Sequence, residues 1–332
     1  MDQTRENLSR RELLSAGTAS ALAPGRAASS VEAVSPRNPV VRVVTISQDE
    51  LQRRPDREIL EATMARLDQA ASFQPAIACL PELAVRGPAE PVPGPSTERF
   101  AAWARSHSCY VLFGLKTLAG GKTHNSVVLL DRAGRILGRY DKMHPTEGEL
   151  AGGIAPGDTE VPIYQTDFGA IGVQICFDVN WWDNWKRLKA KGAKMIFFPA
   201  AYPAARQIGA LALMNQCYVV SSTQRGPSSI YDITGGVLAS SGHYQHWAAA
   251  TLPLGKRLFE VDFHIEKMRQ IEIKYGSKVQ ITWLHDDDWV TLASLDRDLT
   301  VEDLIAEFSL TPLDDYRTRA DNAVRKARPE PL

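Results

Sequence analysis

Two kinds of hydrophobic run alternate along this chain. Val40 to Ile46 is nearly continuous and rich in β-branched residues, which predicts a strand covered on both faces. Leu60, Met64, Leu67 and Ala71 then recur at helical spacing behind Pro55-Asp56, a helix start. The cycle repeats. Ala76 to Leu80 reads as a strand and Phe100, Trp103 and Ala104 mark a helix, with a Pro-rich loop from Pro91 to Ser96 between them. Tyr110 to Leu115, Ser126 to Leu130 and Arg135 to Tyr140 read as strands, the last two joined by an Ala-Gly turn. Ala170 to Ile175 is a buried strand, and Trp182 to Lys191 a helix stopped by Gly192. Met195 to Phe198 is a strand ended by Pro199, followed by a helix over Gln207 to Gln216 and a strand over Tyr218 to Thr223. Thr300 to Ser309 predicts a short helix with Val301, Leu304, Ile305 and Phe308 on one face. Alternation with added antiparallel pairs predicts an α/β fold of two sheets covered by helices.

Composition narrows the function classes. The chain has 332 residues, 44% of them hydrophobic, and a net charge of −1. No long basic run occurs, so nucleic acid is not an expected partner. No apolar run approaches the roughly 18 residues of a membrane-spanning helix. The four cysteines, at 79, 109, 176 and 217, form neither a Cys-x-x-Cys pair nor a Cys/His cluster of zinc spacing. Neither a metal nor a cofactor is expected, and Cys79, Cys109 and Cys217 read as core thiols. The N-terminus stands apart: Ser9-Arg10-Arg11-Glu12-Leu13-Leu14 precedes a stretch rich in Ala, Ser and Gly. It resembles a twin-arginine export signal, so residues 1–37 are expected to be a leader and the protein periplasmic or extracellular, or cytoplasmic if the segment is only a tail.

Three reactive residues each close a strand-like run. Glu82 follows the run ending at Leu80, Lys142 the run ending at Tyr140, and Cys176 the run ending at Ile175. Strand ends are where α/β folds expose reacting groups. A lone buried cysteine is usually a small hydrophobe, and a lone Glu or Lys in a loop a solvated charge. The ordered set reads differently: a nucleophile, a base and a cation.

These segments resemble the nitrilase superfamily of carbon–nitrogen hydrolases. The resemblance rests on Leu80-Pro81-Glu82-Leu83, Tyr140-Asp141-Lys142-Met143-His144 and Gly172-Val173-Gln174-Ile175-Cys176-Phe177-Asp178. His124-Asn125-Ser126, Ala155-Pro156-Gly157-Asp158 and Ser229-Ile230-Tyr231-Asp232 add to it, over residues 40 to 265. It implies a four-layer αββα sandwich, with the hydrolase domain over 38–300 and a C-terminal helix and tail over 301–332. It also implies a homo-oligomer, whose charged tail embraces a neighbouring subunit or is disordered.

The implied chemistry is hydrolysis of a small amide or N-carbamoyl compound by water. Cys176 attacks, with a thiol whose reference pKa is about 8.5. Glu82 is the general base. Lys142 favours the thiolate and, with the backbone N–H of Phe177, stabilises the oxyanion. A second glutamate is expected between the lysine and the cysteine, at Glu147 or Glu149; spacing to Pro156 favours Glu149. Asp178 and His144 are expected to support the loops. Trp181, Trp182 and Tyr202 are candidate pocket residues, or core aromatics. Asn180, Asp183 and Leu213-Met214-Asn215-Gln216 depart from the family pattern and leave the substrate class open. Acyl transfer and nitrile hydrolysis are rivals on the same fold. A non-catalytic binding protein and a redox thiol protein are rivals of another class.

Overall fold

The computed structural model describes residues 37–328, so residues 1–36 of the expected leader lie outside the described residues. The first half of the chain forms β1 (Val40–Ile46), α1 (Asp56–Ala70), β2 (Ile77–Cys79), α2 (Pro95–His107), β3 (Tyr110–Ala119), β4 (Lys122–Leu130), β5 (Ile136–Asp141) and α3 (Glu147–Ala151). Next come β6 (Tyr164–Thr166), β7 (Gly169–Val173), α4 (Trp182–Ala190), β8 (Met195–Ala200), α5 (Ala205–Asn215), β9 (Tyr218–Thr223), β10 (Ser229–Tyr231), β11 (Val237–Ser240) and β12 (Trp247–Pro253). The chain ends with β13 (Arg257–Glu260), α6 (Ile265–Tyr275), β14 (Val279–Leu284), β15 (Trp289–Ser294), α7 (Val301–Phe308) and α8 (Leu313–Ala327).

Two six-stranded sheets have the orders β12-β1-β2-β3-β4-β5 and β11-β10-β9-β8-β7-β6. Each has a parallel centre, β1-β2-β3 in one and β7-β8-β9 in the other, built by strand–helix–strand crossovers. Antiparallel strands flank both centres. The nearly continuous apolar runs now have a reason. Val127 and Leu129 face the core between the sheets, while Val128 and Leu130 face the core under α1 and α2. Tyr110 and Leu112 alternate with Val111 and Phe113 in the same way. On the second sheet Trp185 and Leu188 of α4 and Ile208 and Leu211 of α5 close the outer face. The result is the expected αββα sandwich.

Several elements differ from the sequence reading. β3 and β4 run past the predicted strands and meet at Gly120-Gly121, both at positive φ (56° and 73°), the conformation a two-residue hairpin turn needs. β8 does not stop at Pro199. Phe197 accepts from Gln174 N on the β7 side, so Pro199, two residues on, presents its missing N–H to that same side. β7 has ended at Val173, and no ladder bond is lost there. α2 starts at Pro95, inside the predicted Pro-rich loop, because proline suits the first helical position.

From Arg257 a third sheet, β13-β15-β14, forms with α6 and α7 around its own core of Phe259, Met268, Ile271, Val290, Leu292 and Leu304. The short strands over 257–294 lack a long apolar run, so periodicity did not reveal them. The charged tail from Asp314 is largely helical, as α8. No helix among the described residues is long and apolar enough to cross a membrane.

Candidate active site

Glu82, Lys142 and Cys176 converge from three strand ends, although the first and last stand 94 positions apart in sequence. Glu82 lies just beyond β2, in a turn where Leu83 takes a positive φ of 46°. Its carbonyl accepts from Gln224 Nε2 at 2.7 Å, a tie from the second sheet. Lys142 directly follows β5, and its N–H donates to Asn125 O of β4 at 2.8 Å. Cys176 opens a 3₁₀ turn, Cys176–Asn180, three residues after β7 ends. Its φ is 45°, a left-handed conformation that costs a non-glycine residue about 1–3 kcal/mol and persists only where the surroundings impose it.

Asp178 imposes it. This fully buried carboxylate accepts from Ile175 N (3.0 Å), Tyr140 Oη (2.8 Å) and His144 N (2.9 Å), and pairs with His144 Nδ1 at 2.9 Å. The turn that carries the thiol is thus tied to the loop that carries Lys142. His144 in turn stacks on Trp181, with ring centroids 3.7 Å apart.

Lys142 is 2% exposed and its ammonium bridges two carboxylates. Nζ donates to Glu82 Oε1 at 2.9 Å and to Glu149 Oε2 at 2.7 Å. Glu149 is therefore the second glutamate of this cluster. It is held by a capping box, with Thr146 Oγ1 accepting from Glu149 N and Glu149 Oε2 accepting from Thr146 N. Asn125 Nδ2 completes the cluster by donating to Glu82 Oε1 and Glu149 Oε1, both at 2.8 Å. Burial alone would lower the Lys142 pKa, but Glu82 and Glu149 outweigh it and hold the ammonium above its ordinary range.

Burial first, and then the Glu82 carboxylate, push Cys176 up to about 12, against the Ala201 N–H and the Lys142 charge. Burial and Glu82 thus outweigh the Lys142 charge, whose ammonium is shared between two carboxylates.

Tyr202 lies close enough for Cys176, Glu82 and Lys142 to act on its hydroxyl, although burial is the main reason its pKa is raised. Trp181 reaches the site through His144 and packs edge-on against Phe177 at 5.3 Å. Trp182 opens α4 and is 55% exposed; no aromatic contact or hydrogen bond of its side chain reaches the cluster among the described residues. Asp232 forms a buried ion pair with Lys256 at 2.8 Å. The motif His124-Asn125-Ser126 assigns Asn125 no part in the site from sequence. The available signal was a polar residue continuing the inward stripe of Val127 and Leu129.

The carbon–nitrogen hydrolase family model matches residues 41–256, which covers both large sheets and every residue of the cluster. A hydrolase of Pseudomonas protegens is 33% identical over 151 residues, 43% of this chain and 53% of that protein. The omega-amidase of Xenopus tropicalis is 27% identical over 208 residues, 55% of this chain and 75% of that protein. The chain spans little more than half the length of the curated relatives it matches first, 53% and 58%. A Saccharomyces cerevisiae member of branch 10 of the nitrilase superfamily shares the fold at a TM-score of 0.58 and 19% identity, over 70% of this chain and 93% of that one. The chain belongs to the carbon–nitrogen hydrolase family.

Proposed function

We propose that the protein hydrolyses the carbon–nitrogen bond of a small amide or N-carbamoyl compound through a thioester on Cys176. The observation that carries this reading is the buried Lys142 ammonium bridging Glu82 and Glu149, with the Cys176 thiol facing Glu82. In the proposed cycle Glu82 takes the thiol proton as sulfur attacks the carbonyl carbon, which avoids a free thiolate in a buried site. The tetrahedral oxyanion is stabilised by the Lys142 charge and the Phe177 N–H. Glu82 then gives its proton to the departing nitrogen, and ammonia or an amine leaves. Water attacks the thioester, Glu82 takes its proton, and the acid is released as the thiol re-forms.

The relatives include an omega-amidase and a deaminated glutathione amidase and also a bifunctional nitrilase/nitrile hydratase, so the assay must separate amides from nitriles. The test is ammonia release from primary amides, N-carbamoyl amino acids and nitriles, with Cys176→Ala alongside. Release by wild type alone supports the reading and names the substrate class. Equal release by Cys176→Ala would sink it.

A further inference from the structure

Asn125 meets both carboxylates of the cluster. It is 1% exposed, and each of its two amide hydrogens has a carboxylate oxygen, Glu82 Oε1 and Glu149 Oε1, at 2.8 Å. The orientation is fixed by charge: a flipped amide would set its oxygen against two anions. Its backbone carbonyl holds the N–H of Lys142 as well. Glu82 Oε1 thus accepts twice, from Asn125 and from Lys142. Among the described residues Glu82 Oε2 accepts no nitrogen or hydroxyl donor, and the Cys176 thiol is a polar neighbour of this carboxylate. The carbonyl oxygen of the Asn125 side chain is buried without a partner among the described residues, so the residue has been placed for its two donors at the expense of its acceptor.

We propose that Asn125 is a positioning residue for the Cys176 reaction: its amide clamps one oxygen of Glu82 and one of Glu149 together, and so reserves Glu82 Oε2 for the thiol proton. This rests on Glu82 being the base. Donors to a carboxylate favour its charged form, so their removal makes protonation easier. The charged and titratable groups facing Glu82 are Lys142, Cys176 and Tyr202, with Glu149 beyond Lys142. All remain in an Asn125→Ala variant.

The experiment is the pH dependence of kcat/KM for wild type, Asn125→Ala and the milder Asn125→Ser, with thermal melting to show that each is folded. The acid limb is expected to move up by about one pH unit in Asn125→Ala and by less in Asn125→Ser. At neutral pH kcat is expected to fall on the order of tenfold to a hundredfold, with little change in KM. The same limb is read without turnover from the rate of Cys176 alkylation by iodoacetamide, followed by mass. If Asn125→Ala folds and slows the reaction but leaves the limb in place, the residue is only structural and the proposal fails. Should Asn125→Ala not fold, the limb of Asn125→Ser decides. If wild-type Cys176 alkylates no faster than Cys79, Cys109 and Cys217, the base assignment fails and takes this proposal with it.

Discussion

Burial pushes all four thiols of this chain up: Cys217 to about 11, Cys109 and Cys176 to about 12, and Cys79 further still. Acidity therefore does not single out Cys176; its neighbours do, since it alone of the four faces a buried carboxylate and ammonium. Ultraviolet thiolate absorbance, wild type minus Cys176→Ala, is expected to stay flat up to about pH 10. A step near neutral pH would show a resting ion pair and reverse the proposed order of proton transfer. Glu149 makes a second residue-scale prediction. Burial would raise its carboxyl, but Lys142, the Thr146 N–H and Asn125 outweigh burial and hold it below the ordinary carboxylate range. A carboxyl held low in the fold adds stability above its unfolded value of about 4.3, and that contribution is lost as pH falls through the lower folded value. Glu149→Gln is expected to reduce stability at neutral pH and to lose less on acidification. Urea melts across the acid range check this, and parallel curves would contradict it.

At the scale of elements, the site depends on how closely β3 approaches the turn that carries Glu82. A Cβ on Gly114 would stand 2.5 Å from Leu83 N and Pro81 O and 2.8 Å from Glu82 Cα. These are backbone atoms, so the turn itself must shift. Displacing a catalytic group by about 1 Å costs on the order of 100-fold in rate. Gly114→Ala is expected to lose activity on that order while its circular dichroism stays that of the wild type. Full activity would show that the turn yields without moving the carboxylate. Most elements were legible in the sequence, because each β-branched run and helical stripe has one place to bury its apolar face. β6, β10 to β15, α3, α6 and α8 were not: most of the strands are short, and pairing defines them more than composition does.

At the scale of the molecule, two large sheets make the site and a third sheet adds to the chain without entering the cluster. Asn38, just before β1, ties the parts together by donating to Ser294 O and Asp296 O, both at 2.8 Å. Leu304 is fully buried in the separate core of the third sheet. Leu304→Ala is expected to cost about 2–5 kcal/mol of stability. Its kcat/KM per folded molecule should match wild type, measured by denaturant melts and by assay well below the transition. A selective fall in kcat/KM would mean that this addition shapes the site after all.

The sequence alone determined the alternation of the central strands and helices and the strand ends at which Glu82, Lys142 and Cys176 stand, and the resemblance carried by its motifs implied the αββα class. Those features follow from local periodicity and from ordered motifs, which need no knowledge of distant contacts. Tertiary structure alone decided that Asn125 joins the cluster, that Glu149 and not Glu147 reaches Lys142, and that burial and Glu82 together push the Cys176 thiol up. Each depends on charges and donors brought within about 3 Å from separate strands. A buried group's protonation state is set by that assembled surrounding and not by its neighbours in the chain.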